Sequence, residues 1–374
     1  MIAQGVVFFA FMESFFMVGT IHLCTREEFP DFRSRWHVLT WGLRFPMITH
    51  EWHAAALQAL LPEDTPYIVM VLGPFGELRG VAPLVRLNKS NNLGFLSSIA
   101  IPEPAGMLAD SPASLQSLLA GVRDLGFPLE LERIPIELWN PEVMQDALGV
   151  MSLKSIREEG GSPWVALGTS WEEFEQGITS KRRGDLNRAY RQANRSGGIA
   201  VEFLRAGEHE PSELLRRFIQ VESMSWKSSE ASTIRDKEHI HAFFDHLVNH
   251  YPGIVFGFLS IGGKLAAGQI SVIHSQSLWV LKIAFDEAFR KCSPGILLMH
   301  EMLRYAHTER IQSFEFLGYE ENWIKIWTKM SRRYYTLSLY PYSQRGLTRL
   351  GKDVVANLKT RYGRCSLSES GERG

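Results

Sequence analysis

The first half of the chain has a pattern of apolar and polar positions that predicts an α/β order of elements. Two apolar runs, 67–72 and 80–87, flank the turn Gly73-Pro-Phe-Gly76, and this arrangement predicts a β-hairpin. Residues 114–124 carry leucines and a valine at helical spacing, which predicts an amphipathic helix. The same reasoning predicts strands at 20–23, 93–97 and 129–133, and helices at 27–36, 49–61 and 141–148.

The second half repeats this order. The dipeptide Gly262-Gly263, a turn that two-residue hairpins favour, separates predicted strands at 254–261 and 264–273. A strand at 278–284, a helix at 293–309 and a strand at 313–317 follow in the pattern. The remaining predicted elements are helices at 171–178, 180–195, 213–226 and 236–250, and a last strand at 336–340. Because hairpin, strand, helix and strand occur twice, we expect an α/β (α+β) chain of two related halves.

The best candidate for a linker between the halves is Gly160-Gly-Ser-Pro163. We therefore expect an N-terminal domain over 17–162, a C-terminal domain over 163–345, and a helix with a polar, disordered tail over 346–374. Residues 1–16 are apolar, but they lack a basic segment and are shorter than the roughly 20 residues of a membrane span. They are an upstream extension, a weak anchor or a buried element, and we favour the extension.

Composition and charge exclude several classes of protein. Lys and Arg total 40 and Asp and Glu total 41, so the net charge of -1 provides no general attraction to nucleic acid or to an anionic membrane. Three widely spaced cysteines form neither a disulfide framework nor a zinc motif, which favours the cytoplasm. His246 and His250 have the spacing of two ligands on one helix, but no acid accompanies them, so we expect no metal site.

The sequence Cys292-Ser-Pro-Gly295 directly precedes the predicted helix at 293–309. A helix N-terminus presents free amides to an anion, and Gly295 would let a ligand approach the backbone closely, so a pyrophosphate would fit there. The alternative is an ordinary helix start that Ser293 caps. The matching place in the first half has Glu103, which would repel a phosphate, so we expect any anion site in the second half.

Two further segments carry candidate chemistry. The segment Glu222-Ser-Met-Ser-Trp-Lys227 places an aromatic ring beside a cation at the end of a predicted helix. These side chains could border a substrate site. The alternative is a tryptophan in the core beside a solvated lysine. A polar and aromatic cluster, 319–327, follows the strand at 313–317, and ligands often lie beyond the carboxyl ends of strands. In this cluster Glu320 or Glu321 is a candidate general base, and Tyr319 is a candidate general acid. The alternative is that the segment is a solvated loop without a catalytic role.

A basic helix over 180–195 is the last candidate, and Arg183 on it could contact an anionic substrate. Such runs are usually solvated faces. Tyr190 is its only stacking aromatic, which argues against a nucleic-acid surface.

Taken together, these segments resemble the CelD/BcsL-like acetyltransferases of the GNAT superfamily, which are related to the FemAB peptidyltransferases. The second half carries the resemblance in SKRRGDLNRAYRQANRSGG, ESMSWK, LSIGGKLAAGQISV, LKIAFDEAFRKCSPGILL and EFLGYEENWIKIW, and the first half in EEFPDFRSRWHVL and THEWHAAALQAL. The resemblance implies two GNAT-like folds in tandem, each with a mixed, largely antiparallel sheet. It also implies transfer of an acyl group, usually acetyl from acetyl-CoA, to an amine or a sugar hydroxyl, often in exopolysaccharide production.

Under this resemblance the second half is the working half, and it uses no metal. The acceptor, a small molecule or a saccharide, would enter a cleft between the halves. The implied residues are Ile283, Ala284, Ser293, Pro294, Gly295, Ile296 and Leu297 for the cofactor, Lys282, Asp286, Tyr319 and Glu320 for catalysis, and Glu222, Trp226, Lys227, Arg183 and Trp323 for the substrate.

Two positions depart from the family pattern: Glu315 replaces an aspartate, and Ile324 stands where the family has a lysine. These departures leave a second reading, a non-catalytic scaffold of a polysaccharide synthase. A third is transfer from aminoacyl-tRNA, as in FemAB relatives, although the chain has no room for the long coiled-coil arm of the FemA type.

Overall fold

The computed structural model describes residues 19–88, 90–149, 153–168, 170–225, 233–321 and 323–355. Fourteen strands lie within these residues: β1 (Thr20–Cys24), β2 (Thr65–Leu72), β3 (Leu78–Arg86), β4 (Leu93–Phe95), β5 (Leu108–Ala109), β6 (Leu129–Pro135), β7 (Leu153–Glu159), β8 (Trp164–Ala166), β9 (Ile199–Arg205), β10 (Ile254–Ile261), β11 (Lys264–His274), β12 (Ser277–Phe285), β13 (Ser313–Glu315) and β14 (Tyr334–Tyr340).

These strands form two sheets. The first sheet has the order β1-β2-β3-β4-β6-β14-β7, with β5 on β3, and the second has the order β8-β13-β12-β11-β10-β9. All neighbouring pairs are antiparallel except β4 with β6 and β12 with β13. The prediction of two mixed, largely antiparallel sheets is therefore confirmed.

Helices flank both sheets. The α-helices are α1 (Arg33–Leu39), α2 (His50–Gln58), α3 (Pro112–Asp124), α4 (Pro141–Leu148), α5 (Trp171–Gly177), α6 (Ser180–Arg195), α7 (Pro211–Ser223), α8 (Glu238–His250) and α9 (Pro294–Thr308), and residues 344–355 are also helical. Helices α2, α3, α4 and α5 each begin after a residue whose side chain caps the first turn. The hydroxyl of Thr49 accepts from the amide of Trp52, so the predicted cap of α2 is confirmed. No described helix is long and apolar enough to cross a membrane.

The last strand lies in the first sheet, although the chain division at residue 163 groups it with the second half. β14 pairs with β6 on one side and with β7 on the other. Its alternating side chains Tyr335, Leu337 and Leu339 are buried in the apolar core of the first sheet, which stabilises this position. Residues 160–163 nevertheless link the two sheets, because β7 belongs to the first and β8 to the second.

An apolar contact joins the two halves. Helix α2 packs on α8, and the ring of Trp52 lies edge-on to Phe243 at 5.3 Å. Both side chains are fully buried, and the indole N–H of Trp52 donates to the carbonyl of Ser97. Buried aromatic pairs of this kind are among the strongest apolar contacts in proteins, so the halves share one core.

Candidate active site

The second sheet opens where β12 and β13 diverge. These parallel strands pair only at Ser277–Trp279 with Ser313–Glu315, so the rest of β12 has no partner on that side. On its other side β12 pairs with β11, but the register shifts between Ile270 and Ser271, and Leu281 bulges from the ladder. The unpaired edge of β12 therefore borders an opening in the sheet.

A cavity of about 440 Å³ fills this opening. The walls are the end of β12, the N-terminus of α9, the 3₁₀ helix Glu287–Cys292 and the loop after β13. The residues that line the cavity are Ser225, Ile283, Ala284, Phe285, Arg290, Ser293, Pro294, Gly295, Ile296, Glu321 and Trp323. Most of these residues are apolar, whereas Arg290 and Glu321 supply charged groups, which is the usual character of a small-molecule site.

The N-terminus of α9 forms one wall of the cavity. Ser293 stands at the cap position in the left-handed region, with φ of 51°, and its hydroxyl makes no capping hydrogen bond. The reading of Ser293 as an ordinary cap is therefore wrong. Pro294 has no N–H, and the amides of Ile296 and Leu297 donate to the carbonyl of Ser293, so the amide of Gly295 is the first one available in the turn.

Gly295 leaves room between the helix and the strand. A methyl group at this position would lie 3.5 Å from the Phe285 ring and 3.9 Å from Ile283. A larger side chain would occupy the space between α9 and β12. A left-handed non-glycine residue followed by Pro-Gly costs backbone energy, as is common at binding sites.

Six of the seven residues predicted for the cofactor line this cavity: Ile283, Ala284, Ser293, Pro294, Gly295 and Ile296. Leu297 does not. Its side chain is fully buried in an apolar cluster with Leu259 and Ile261, and its amide is bonded to Ser293.

Lys282 and Glu222 pair with each other beside the cavity. Lys282 Nζ lies 2.7 Å from Glu222 Oε1, and the other carboxylate oxygen of Glu222 accepts from the amide of Ile234. The ammonium group lies 5.9 Å from the centre of the Phe244 ring on α8. The side chain of Lys282 thus contacts α7 and α8 and does not line the cavity, whereas Ser225, in the turn after α7, does.

The other three residues predicted for catalysis, Asp286, Tyr319 and Glu320, do not line the cavity. Asp286 caps the 3₁₀ helix by accepting from the amide of Ala288. Tyr319 stacks over Arg133 of the first half, with 4.5 Å from the guanidinium carbon to the ring centre. Glu320 is exposed.

Glu321, the second of the two candidate bases, does line the cavity, together with Trp323. The indole N–H of Trp323 donates to Glu321 Oε2 at 2.6 Å. This hydrogen bond holds the carboxylate beside the indole ring, and Oε1 of Glu321 takes no part in it. The neighbouring Ile324 is buried and contributes no charge.

Arg290 is a cavity residue that the sequence reasoning missed. It lies on the 3₁₀ helix between Asp286 and Ser293, where the guanidinium is 3.7 Å from Glu287 and largely exposed. The signal for it was the basic pair Arg290-Lys291 immediately before the Ser-Pro-Gly turn.

Arg183, also predicted for the substrate, does not line the cavity. Arg183 donates from one Nη1 atom to the carbonyls of Glu175, Gln176 and Ile178, so it caps the end of α5. Trp226 and Lys227 lie outside the described residues.

Glu315 has a clear contact role. Its fully buried carboxylate accepts from Arg332 at 2.8 Å and from Arg44 at 2.5 Å, and Arg44 comes from the first half. Glu315 therefore ties the two halves together.

The histidine pair shows no metal geometry. The rings of His246 and His250 stack at 4.1 Å, and no group of three metal-ligating side chains occurs among the described residues.

Comparison with known proteins identifies the fold. Residues 180–325 match the model of the acetyltransferase (GNAT) domain. No curated protein matches the chain.

Solved structures align over most of the chain. FemX is 12% identical with a TM-score of 0.57, and the alignment covers 88% of this chain and 99% of that one. The C-terminal domain of a putative lysylphosphatidylglycerol synthetase from Agrobacterium fabrum is 11% identical with a TM-score of 0.56, and 87% and 97% of the chains are covered. A tandem GNAT protein from the clavulanic acid biosynthesis pathway is 12% identical with a TM-score of 0.51, and 87% and 99% are covered. Residues 180–325 of this chain are thus similar to a GNAT acetyltransferase domain, and the chain as a whole shares the fold of a tandem GNAT protein.

Proposed function

We propose that this protein transfers an acyl group, usually acetyl, from acyl-CoA to an amine or hydroxyl acceptor. The observation that carries the proposal is the cavity between the unpaired edge of β12 and the N-terminus of α9. It lies inside the segment that matches the acetyltransferase domain.

The N-terminus of α9 at this cavity suits the pyrophosphate of CoA. Helix N-termini favour anions through their free amides and their dipole, and the uncapped turn at Ser293 leaves the Gly295 amide available. Arg290, which also lines the cavity, adds a positive charge. An arginine beside backbone donors is a common arrangement for phosphate groups.

The apolar lining residues suit the pantetheine arm. Beyond Trp279, the edge of β12 has peptide groups that β13 does not pair, and an extended amide chain can bond to such an edge. A backbone amide near the bulge at Leu281 would hold the thioester carbonyl and stabilise the charge that develops on it during attack.

Glu321 is the best-placed group to accept a proton from the acceptor. It is the carboxylate that lines the cavity, and Trp323 orients it. The acceptor attacks the thioester directly, its proton passes to Glu321, and CoA leaves as the thiolate and is then protonated. Cys292 is buried and has Ser196 as its neighbour at 3.8 Å, an arrangement that supplies no base for a covalent route.

The finer assignments belong to the same proposal. A saccharide or other small-molecule acceptor and a role in exopolysaccharide production rest on the resemblance described above, whereas a cytoplasmic location rests on the three widely spaced cysteines. Transfer from aminoacyl-tRNA and a non-catalytic scaffold are the competing outcomes.

Calorimetric titration with acetyl-CoA, desacetyl-CoA and charged tRNA tests the proposal. We expect both CoA ligands to bind and charged tRNA to bind weakly or not at all. Tight, strongly salt-dependent tRNA binding without CoA binding would favour the aminoacyl donor. Binding of neither donor would favour the scaffold.

A further inference from the structure

An ion pair from the first half holds the main chain of Gly318 in the second half. The carboxylate of Glu103 accepts from the amide of Gly318, at 3.3 and 3.2 Å from its two oxygens. Arg133 Nη2 donates to the carbonyl of Gly318 at 2.8 Å and to the hydroxyl of Ser162 at 2.6 Å. Both polar groups of this one residue are therefore bound by side chains about 200 residues away in sequence.

Gly318 lies in a turn whose backbone conformation is energetically unfavourable by itself. Leu317 and Gly318 both have positive φ, 58° and 60°. A leucine in the left-handed region costs about 1 kcal/mol or more, so surrounding contacts must stabilise this turn. The side chain of Leu317 is buried, which provides part of that support, and the ion pair on Gly318 provides more, together with the hydroxyl of Ser162, which donates to the Gly318 carbonyl at 2.9 Å.

This turn fixes where the cavity wall begins. Glu321 and Trp323 follow Gly318 by three and five residues, and both line the cavity. Between them and β13, Tyr319 is held by its stacking on Arg133. The position of the candidate base therefore depends on a short segment that the first half anchors.

The clamp, by which we mean the pair of Glu103 and Arg133 that binds Gly318, is rigid. Arg133 is 2% exposed, and Glu103 Oε2 lies 3.6 Å from its guanidinium. Tyr334 of β14 packs against the other side of the guanidinium region, 5.1 Å from its carbon to the ring centre. Buried, charge-assisted contacts with planar partners leave few alternative positions.

We propose that Glu103 and Arg133 are positioning residues: they hold Gly318 so that Glu321 and Trp323 stand correctly for acyl transfer. The inference rests on the proposed function for its activity readout, but the contact itself can be measured without any substrate. It gives the first half a role in the reaction of the second.

The test compares four variants of the full chain. Glu103→Ala removes the acceptor of the Gly318 amide, whereas Glu103→Gln keeps an oxygen acceptor and is the conservative rescue. Arg133→Lys keeps the charge but loses the planar donor group. Glu51→Ala is the matched control, because Glu51 is an equally buried carboxylate of the first half (side chain 9% exposed, against 12% for Glu103) that pairs with Arg33 and His37 instead.

The first measurement is hydrogen exchange over residues 316–323, which needs no ligand. We expect Glu103→Ala to exchange at least about tenfold faster there than the wild type, Glu103→Gln to exchange nearly as the wild type does, and Glu51→Ala to leave the segment unchanged. Unchanged protection in both Glu103→Ala and Arg133→Lys would overturn the clamp, whether or not the protein is an acyltransferase.

The second measurement is acyl transfer from acetyl-CoA at saturating donor. We expect kcat to fall about 10- to 100-fold in Glu103→Ala and Arg133→Lys, with the KM for acetyl-CoA within about twofold, because a misplaced base slows the chemical step and not donor binding. Glu103→Gln should recover most of the lost kcat. Faster exchange with an unchanged kcat would overturn the positioning role. A wild type without acyl transfer would instead reject the proposed function, while the exchange data would still decide the clamp.

Discussion

Lys282 and Glu222 form an ion pair of 2.7 Å that joins β12 to α7 directly beside the cavity. The carboxylate is almost fully buried and also receives the amide of Ile234, so it needs a cation to offset its desolvation. Lys282 sits next to the bulge at Leu281, and the pair therefore fixes the strand at the point where the thioester would lie.

Replacing Lys282 by methionine should lower the free energy of unfolding by about 2–4 kcal/mol, because the buried charge of Glu222 loses its partner. Urea unfolding measures the change. The control is Arg333→Met: Arg333 pairs with Glu158 at the same 2.7 Å, but both side chains are more than 60% exposed. That variant should lose at most about 0.5 kcal/mol. Equal losses in the two variants would contradict the burial argument.

Replacing Gly295 by leucine should weaken acetyl-CoA binding at least about tenfold, or about 1.4 kcal/mol, because the side chain would fill the space facing Phe285 and Ile283. Calorimetry measures the affinity. Gly184→Leu is the control, since Gly184 lies on α6 with open space around it. The affinity of this variant for acetyl-CoA should equal that of the wild type. Undiminished binding to Gly295→Leu would move the donor site elsewhere.

Glu320 and Glu321 are neighbours of the same chemical type, and only the second lines the cavity. Glu321→Gln should lower kcat about 100-fold or more, as expected when a general base is lost, and Glu320→Gln should leave it within about twofold. Steady-state kinetics with acetyl-CoA and a chosen acceptor measures both. Similar effects of the two substitutions would exclude Glu321 as the base.

The pH dependence of stability should report on Glu103. Burial raises the pKa of Glu103 from 4.5 to about 7, although Arg133 and the Gly318 amide lower it in part. The folded protein therefore holds a proton that the unfolded chain has released, and the stabilisation from this group is complete below about pH 4.5 and lost as the pH rises through about 7.

The free energy of unfolding of the wild type, minus that of Glu103→Gln, should therefore fall between about pH 5 and about pH 8, because glutamine does not titrate. Urea unfolding at several pH values gives this difference. A difference that grows with pH would mean that the attraction of Arg133 exceeds the cost of burial.

The periodic elements of the fold were predictable because their patterns are local. Helix α4 has the predicted bounds, Pro141–Leu148, and so does α6, Ser180–Arg195. The hairpin of β10 and β11 turns at Gly262-Gly263, both with positive φ, as the dipeptide predicts.

Several strands lacked a readable pattern. β7 reads LKSIREE and exposes much of its length, and β9 is an edge strand with few fully buried positions, so neither has a strong alternation. β8 has three residues, too few for a period. The sheet to which β14 belongs depends on partners about 180–200 residues away, which local patterns do not encode.

Some residues of the candidate site were likewise predictable from the sequence, and others were not. The Ser293–Gly295 turn was readable, because a helix start follows a strand in the sequence itself. The choice between Glu320 and Glu321 was not, since adjacent residues point in different directions and only the packed loop selects one. The pairing of Arg133 with Gly318 likewise joins distant segments that carry no shared motif.

The place of β14 in the first sheet has a consequence for biosynthesis. A nascent chain that has not yet reached Tyr334 has β6 and β7 but lacks the strand that pairs with both, so two sheet edges stay open while the whole second sheet is being synthesised. The first sheet is thus completed only after the second has been made. We expect a shortened chain that stops at residue 163 to expose unpaired strand edges and to aggregate, because it cannot form a complete sheet as an independent domain.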